Sequence, residues 1–155
     1  MRKAAIFLAL VTFGTATAFA SENQDILAAV QRFGQVFQLQ NTQEALETCA
    51  HNVTVVDDLP PYLWHGPGAC SRWLATLKSN LERLDKVPGM TNLRLELMKP
   101  TRTVVSGDRA YAVAPLRVSY PGSRRAAHRL NVLVTLVLHK VSARWFVVSS
   151  VVSAY

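Results

Sequence analysis

Ile26, Val30, Phe33 and Phe37 recur at three- and four-residue intervals, the period that puts side chains on one face of an α-helix. Ser21 followed by Gln24 makes a capping-box pattern ahead of them, so the spacing predicts a first amphipathic helix over about residues 22–40. Asn41 followed by Glu44 repeats the start signal, and a short second helix is expected to carry Ala45, Leu46 and Cys49 before His51-Asn52 ends it. Val53 to Val56 is a β-branched run, read as a short strand. It stops at Asp57-Asp58-Leu59-Pro60-Pro61, because proline has no N–H to give a ladder. A third helix follows Gly66-Pro67-Gly68, with Cys70, Trp73, Leu74, Leu77, Leu81 and Leu84 on one face and Pro88-Gly89 as its stop.

From Leu93 onward the period changes to two. Strands are predicted at about residues 92–105, 109–120, 127–140 and 144–153, with turns at Ser106-Gly107-Asp108, Pro121-Gly122-Ser123 and Val141-Ser142-Ala143. Pro115 inside the second of these marks an edge or a bulge. Helices gathered before antiparallel strands define an α+β class, with the helices on one concave face of a curved sheet. Such curvature leaves room for a ligand between the layers.

Composition supports one packed domain: 155 residues, 50% hydrophobic and 17% charged, exclude a disordered chain, a collagen and a coiled coil. The N-terminus stands apart. Arg2-Lys3, the apolar run Ala4 to Phe13 and the small-x-small triplet Ala18-Phe19-Ala20 have the layout of a signal peptide. Residues 1–20 are therefore expected to be removed, leaving a domain at 21–155 in the periplasm or outside the cell, with no transmembrane segment. Loss of Arg2 and Lys3 lowers the formal charge from +7 to +5.

Export permits a disulfide. Cys49 and Cys70 either pair, for about 3 kcal/mol of loop-entropy stabilisation, or remain two buried thiols; the spacing leaves both open. No C-x-x-C or H-x-x-x-H spacing connects the cysteines with His51, His65, His128 and His139, so no metal is expected. Without a Gly-rich phosphate loop, no cofactor is expected either.

The segment Val53 to Ala69, then Gly107-Asp108-Arg109-Ala110-Tyr111, then Val137-Leu138-His139-Lys140 with Arg144-Trp145-Phe146, resembles the nuclear transport factor 2-like superfamily, specifically its SnoaL-like and ketosteroid isomerase-like members. The resemblance spans about residues 22–153 and implies a cone-shaped fold in which a curved antiparallel sheet packs against three helices. It also implies a homodimer through the sheet. In the isomerases an aspartate base works beside an oxyanion hole made of a tyrosine and a protonated aspartic acid. The resemblance puts Asp57 at the base position, Phe33 where the tyrosine would stand and Thr135 where the neutral acid would stand. Losing even one such donor costs about 2.7–4 kcal/mol of transition-state stabilisation, which argues against steroid isomerisation.

Asp57 and Asp58 project to opposite sides of a strand, so at most one faces a pocket. His65 is the expected acid–base partner of Asp57. Tyr62 and Trp64 suit a pocket wall, while Trp73, lying among leucines, reads as core. Arg129, Asn131 and Thr135 share parity on one strand and are expected either to bind a ligand on a concave face or to form a dimer surface on a convex one. Arg124, Arg125, His128 and Arg129 form a basic hairpin tip without interleaved aromatics, which disfavours nucleic acid. The resulting expectation is an exported protein that binds a small apolar or amphipathic molecule, with a cofactor-free isomerase, dehydratase or hydrolase based on Asp57 and His65 as the alternative.

Overall fold

The structure, a computed structural model, describes residues 15–88, 90–119 and 132–154, with side chains from residue 22. The first helix, α1 (Thr15–Gly34), runs straight through Ser21, so that residue is not an N-cap in the full chain. A 3₁₀ turn (Gln35–Gln38) ends in the left-handed conformation of Leu39, which stops the helix short of residue 40. The second helix, α2 (Thr42–Leu46), has only five residues, and Asn41 before it makes no side-chain cap.

Cys49 does not belong to α2. It opens β1 (Cys49–Val56), because the backbone there already pairs with the last strand. β2 (Leu63–Pro67), unforeseen in the sequence, folds back antiparallel on β1. α3 (Ala69–Leu84) then packs on β1 and β2 and is fastened to β1 by the Cys49–Cys70 disulfide, which settles the choice the spacing left open.

The predicted strand 92–105 is two strands, β3 (Arg94–Leu97) and β4 (Arg102–Ser106), interrupted around Pro100. Both pair with β5 (Arg109–Ser119). Pro115 lies opposite the break, where its carbonyl accepts from the Met98 N–H. A strand residue directs N and C=O to the same side, so the N–H that proline lacks falls at the gap between β3 and β4. β6 (Val132–Val141) and β7 (Arg144–Ala154) complete the sheet.

Among the described residues the seven strands run in the order β2-β1-β7-β6-β5-β3, with β4 also on β5. The sheet is mixed rather than wholly antiparallel, since β1 and β7 are parallel. It stays open, with β2 at one edge and β3 and β4 at the other. Strand alternation sends Val134, Leu136 and Leu138 of β6, Ala110 and Ala112 of β5 and Val147 of β7 into one core with Ile26, Val30 and Phe33 of α1. Gly34 lets α1 end close against β3, where a Cβ would lie 3.0 Å from the Leu97 side chain.

Arg72 protects the β2 edge. Its guanidinium donates to the carbonyls of His65 at 2.9 Å and Pro67 at 2.7 Å, two groups that point away from β1. Gly68, at φ +70°, lets the chain turn into α3 beneath this side chain. Unblocked edges recruit strands from other chains. Arg72→Ala is therefore expected to retain its circular dichroism spectrum while forming larger, thioflavin-positive species on incubation, and an unchanged sedimentation profile would refute the protective role.

Candidate functional site: a buried carboxylate and an end cavity

Asp57 lies just past β1 and is 7% exposed. Its Oδ2 accepts the indole N–H of Trp73 at 2.8 Å, and its Oδ1 accepts the backbone N–H of Leu59 at 3.0 Å. Burial pushes the carboxyl above the ordinary aspartate range, while the two hydrogen bonds pull in the opposite direction with smaller effect. Trp73 is fully buried, as its place among the leucines foretold. It stacks on Phe33 with ring centroids 5.9 Å apart and planes 4° apart, and meets Phe37 edge-on at 5.6 Å. Phe33 thus stands in the core, supplying packing in place of a hydroxyl.

His65 is not brought to this carboxylate. It is exposed on β2, where Nδ1 shares a 2.9 Å hydrogen bond with Thr54 Oγ1. Its neighbour Trp64 points the other way and is buried in the core. Tyr62, at the turn between β1 and β2, is 58% exposed. Asp58 is exposed too and accepts the Ala154 N–H at 3.4 Å. Thr135 is half-exposed between the buried Val134 and Leu136, so it projects from the sheet face opposite the helices. That corrects the concave alternative for this residue. Arg129, Asn131 and the rest of the basic hairpin tip lie outside the described residues.

The larger cavity is elsewhere. It opens at the far end of the helical layer, between the 3₁₀ turn, the C-terminal end of α3, β3 and the end of β5, with a volume of about 820 Å³. Leu81 in its wall is eight residues beyond Trp73, roughly 12 Å further along the helix axis. Phe37, Leu81, Leu93 and Leu95 supply apolar surface. Polar groups share the lining, among them Gln38, Glu82 and Arg94, together with the exposed Arg117–Glu96 ion pair at 3.3 Å. The alternation of Leu93 and Leu95 with Arg94 and Glu96 signalled half of this lining. Phe37 packs on Phe33 and Trp73 in the core and also borders this space.

Pairing across β5 and β6 also creates an acid–imidazole contact that the sequence order hides: His139 Nε2 and Asp108 Oδ2 lie 2.9 Å apart. The imidazole holds the exposed Asp108 below the usual carboxylate range. Among the described residues no group of three or more His, Cys, Asp or Glu side chains converges to hold a metal, and no helix is long and apolar enough to cross a membrane.

No protein-family model and no curated protein sequence matches the chain. Solved structures do. A nuclear transport factor 2-like protein with a cystatin-like fold from Novosphingobium aromaticivorans superposes with a TM-score of 0.67 at 15% identity, covering 89% of this chain and 84% of that one. A nuclear transport factor 2-like protein of unknown function from Pseudomonas putida gives 0.63 at 20% identity over 92% and 90%. A candidate ketosteroid isomerase from Shewanella frigidimarina gives 0.57 at 17% identity over 81% and 92%. The chain has the nuclear transport factor 2-like fold, an open curved α+β architecture. At these identities the likeness extends to fold alone.

The raised proton affinity of Asp57 has a definite sign. The folded state holds the proton more tightly than the unfolded chain, so this linkage favours folding most at low pH and fades as pH rises through the raised value. Denaturant titrations across that window are expected to show the wild type losing stability relative to Asp57→Asn as pH increases. The opposite slope would mean that the Trp73 and Leu59 hydrogen bonds outweigh burial. Trp73→Phe, which removes one donor and leaves Oδ2 buried, is expected to cost about 1–3 kcal/mol at neutral pH.

Proposed function

We propose that this is an exported small-molecule binding protein whose ligand, an apolar or amphipathic molecule, occupies the cavity at the open end of the sheet. The observation that carries the reading is that cavity itself: about 820 Å³, lined by leucines and phenylalanine together with polar side chains, in the size range of ligand sites. The alternative, proton transfer by Asp57 with His65, is less well supported. Both oxygens of Asp57 accept protein hydrogen bonds beside a packed aromatic cluster, and His65 is bonded to Thr54. Export to the periplasm or beyond, by cleavage near Ala20, draws support from the signal-like N-terminus and from the Cys49–Cys70 disulfide, which an oxidising compartment preserves.

Homodimerisation is the second element of the proposal. The sheet face turned away from the helices carries Val104, 45% exposed, and Tyr111, with Val113, Val137 and Phe146 half-exposed beside them. An apolar surface of this kind suits a self-complementary contact.

A native mass spectrum of the protein isolated from the periplasm is expected to carry a small-molecule mass that leaves on denaturation. Leu93→Arg, which puts charge on the apolar lining, is expected to lose that mass and the binding of anilinonaphthalene sulfonate with it. Retention of both by the variant would place the ligand elsewhere. In a separate measurement, light scattering is expected to find a dimer for the wild type and a monomer for Val137→Arg; a monomeric wild type would end the dimer proposal.

A further inference from the structure

The end cavity opens beside the loop that carries the chain from Leu84, the last residue of α3, to Arg94, the first of β3. Asp85 and Asn92, near the two ends of that loop, both line the cavity, and Asp85 Oδ1 accepts the Asn92 N–H at 2.6 Å. The Val87 N–H donates to the Leu84 carbonyl at 2.9 Å and the Met90 N–H to the Val87 carbonyl at 3.0 Å. The loop is thus closed at its base on the edge of the cavity, and its tip stands out beside the mouth. That tip is apolar: Val87 is 39% exposed and Met90 36%, with Pro88 exposed between them. Leu39, which follows the 3₁₀ turn and also lines the cavity, is 36% exposed.

Exposed apolar side chains scattered singly carry no meaning, but several gathered at the opening of a leucine-lined cavity mark an interaction surface. The charge around them favours an anionic partner. Arg83, Lys86 and Arg94, all exposed, outnumber Glu82 and Asp85, while Arg117 is balanced by Glu96. The chain beyond residue 20 carries a formal charge of +5, which adds long-range attraction of the same sign. We infer that this end of the molecule docks on an anionic lipid bilayer and that the cavity takes up a single-chain lipid from it, an inference that rests on the small-molecule reading of the cavity. Val87, Pro88 and Met90 enter the boundary between headgroups and acyl chains, where buried apolar area and cationic charge both favour binding. Lys86 keeps its ammonium among the phosphates. The acyl chain passes from the bilayer to Leu39, Leu93, Leu95 and Leu81 without crossing open water. Phe37, 2% exposed, closes the inner end, so the space suits one chain.

The test floats the mature protein with vesicles of phosphatidylethanolamine and phosphatidylglycerol in equal parts, doped with palmitoyl-lysophosphatidylethanolamine, and with vesicles of phosphatidylcholine carrying the same dopant. The wild type is expected to float with the anionic vesicles, about tenfold more weakly with phosphatidylcholine, and less at high salt. Native mass spectra of protein recovered from the anionic vesicles are expected to show one lysolipid. Val87→Asp combined with Met90→Asp is expected to lower flotation about tenfold while leaving circular dichroism and anilinonaphthalene sulfonate binding unchanged. Leu93→Arg is expected to float normally and carry no lysolipid. A wild type that stays in solution with both vesicles, one that floats equally with both, or a double variant that floats as well as the wild type would overturn the docking. Flotation without any lysolipid on the recovered protein would overturn the ligand class. Lost flotation with dye binding intact refutes this inference alone, whereas a wild type that binds neither dye nor lysolipid refutes the cavity reading beneath it.

Discussion

The contact between the Asp57 carboxylate and the Trp73 indole joins the helical layer to the end of β1 through a buried hydrogen bond. Asp57 ends β1, and Trp73 sits one turn into α3, a few residues past the Cys49–Cys70 disulfide that fastens the same helix to the same strand. A buried carboxylate is costly unless its oxygens are satisfied. Here the second oxygen is met by the Leu59 amide, so the turn after β1 is drawn into the same arrangement. With its N–H held by Asp57, the indole stacks on Phe33 and meets Phe37 in a T-shaped contact. The middle of the space between helices and sheet is consequently occupied by the chain's own aromatic rings.

That occupation decides where a ligand has room. The fold is one in which curvature opens a space between layers, and this sequence closes the centre with Phe33, Phe37 and Trp73, leaving space at the ends. The end cavity exists because α1 gives way to a 3₁₀ turn and α3 stops at Leu84, so neither helix covers the first residues of β3 and the last of β5. A smaller cleft lies where α1, the short α2 and the turn joining β6 to β7 meet. The two openings differ in lining, one mixing leucines with polar groups and the other setting five charged residues around Ala28, Ala143 and Trp145.

Much of the architecture was legible because periodicity is a local property. The helical stripe of Ile26, Val30 and Phe33, the leucine face of α3 and the alternation of the later strands all found their predicted partners. Misreadings fell where a distant segment overrules local preference. Cys49 follows helix-like sequence but is strand, because β7 pairs with it across nearly a hundred residues. Leu63 to Pro67 carries two glycine and proline positions that read as loop, yet β1 supplies a ladder and Arg72 satisfies the outward carbonyls. Pro115 is tolerated inside β5 because the neighbouring strand breaks opposite it.

For the site, the sequence by itself determined the residue types and their parity: a carboxylate after an apolar strand, a tryptophan among leucines, leucines alternating with charges from Leu93, and a fold class that follows from those periods. Only the tertiary structure decided that Asp57 meets Trp73 rather than His65, that Thr135 faces away from the helices, and that the open spaces lie at the ends of the layer. The reason is physical. Which face of a strand is buried follows from alternation along one segment, but which two side chains touch depends on register and helix placement, and these are set by contacts between segments far apart in the chain.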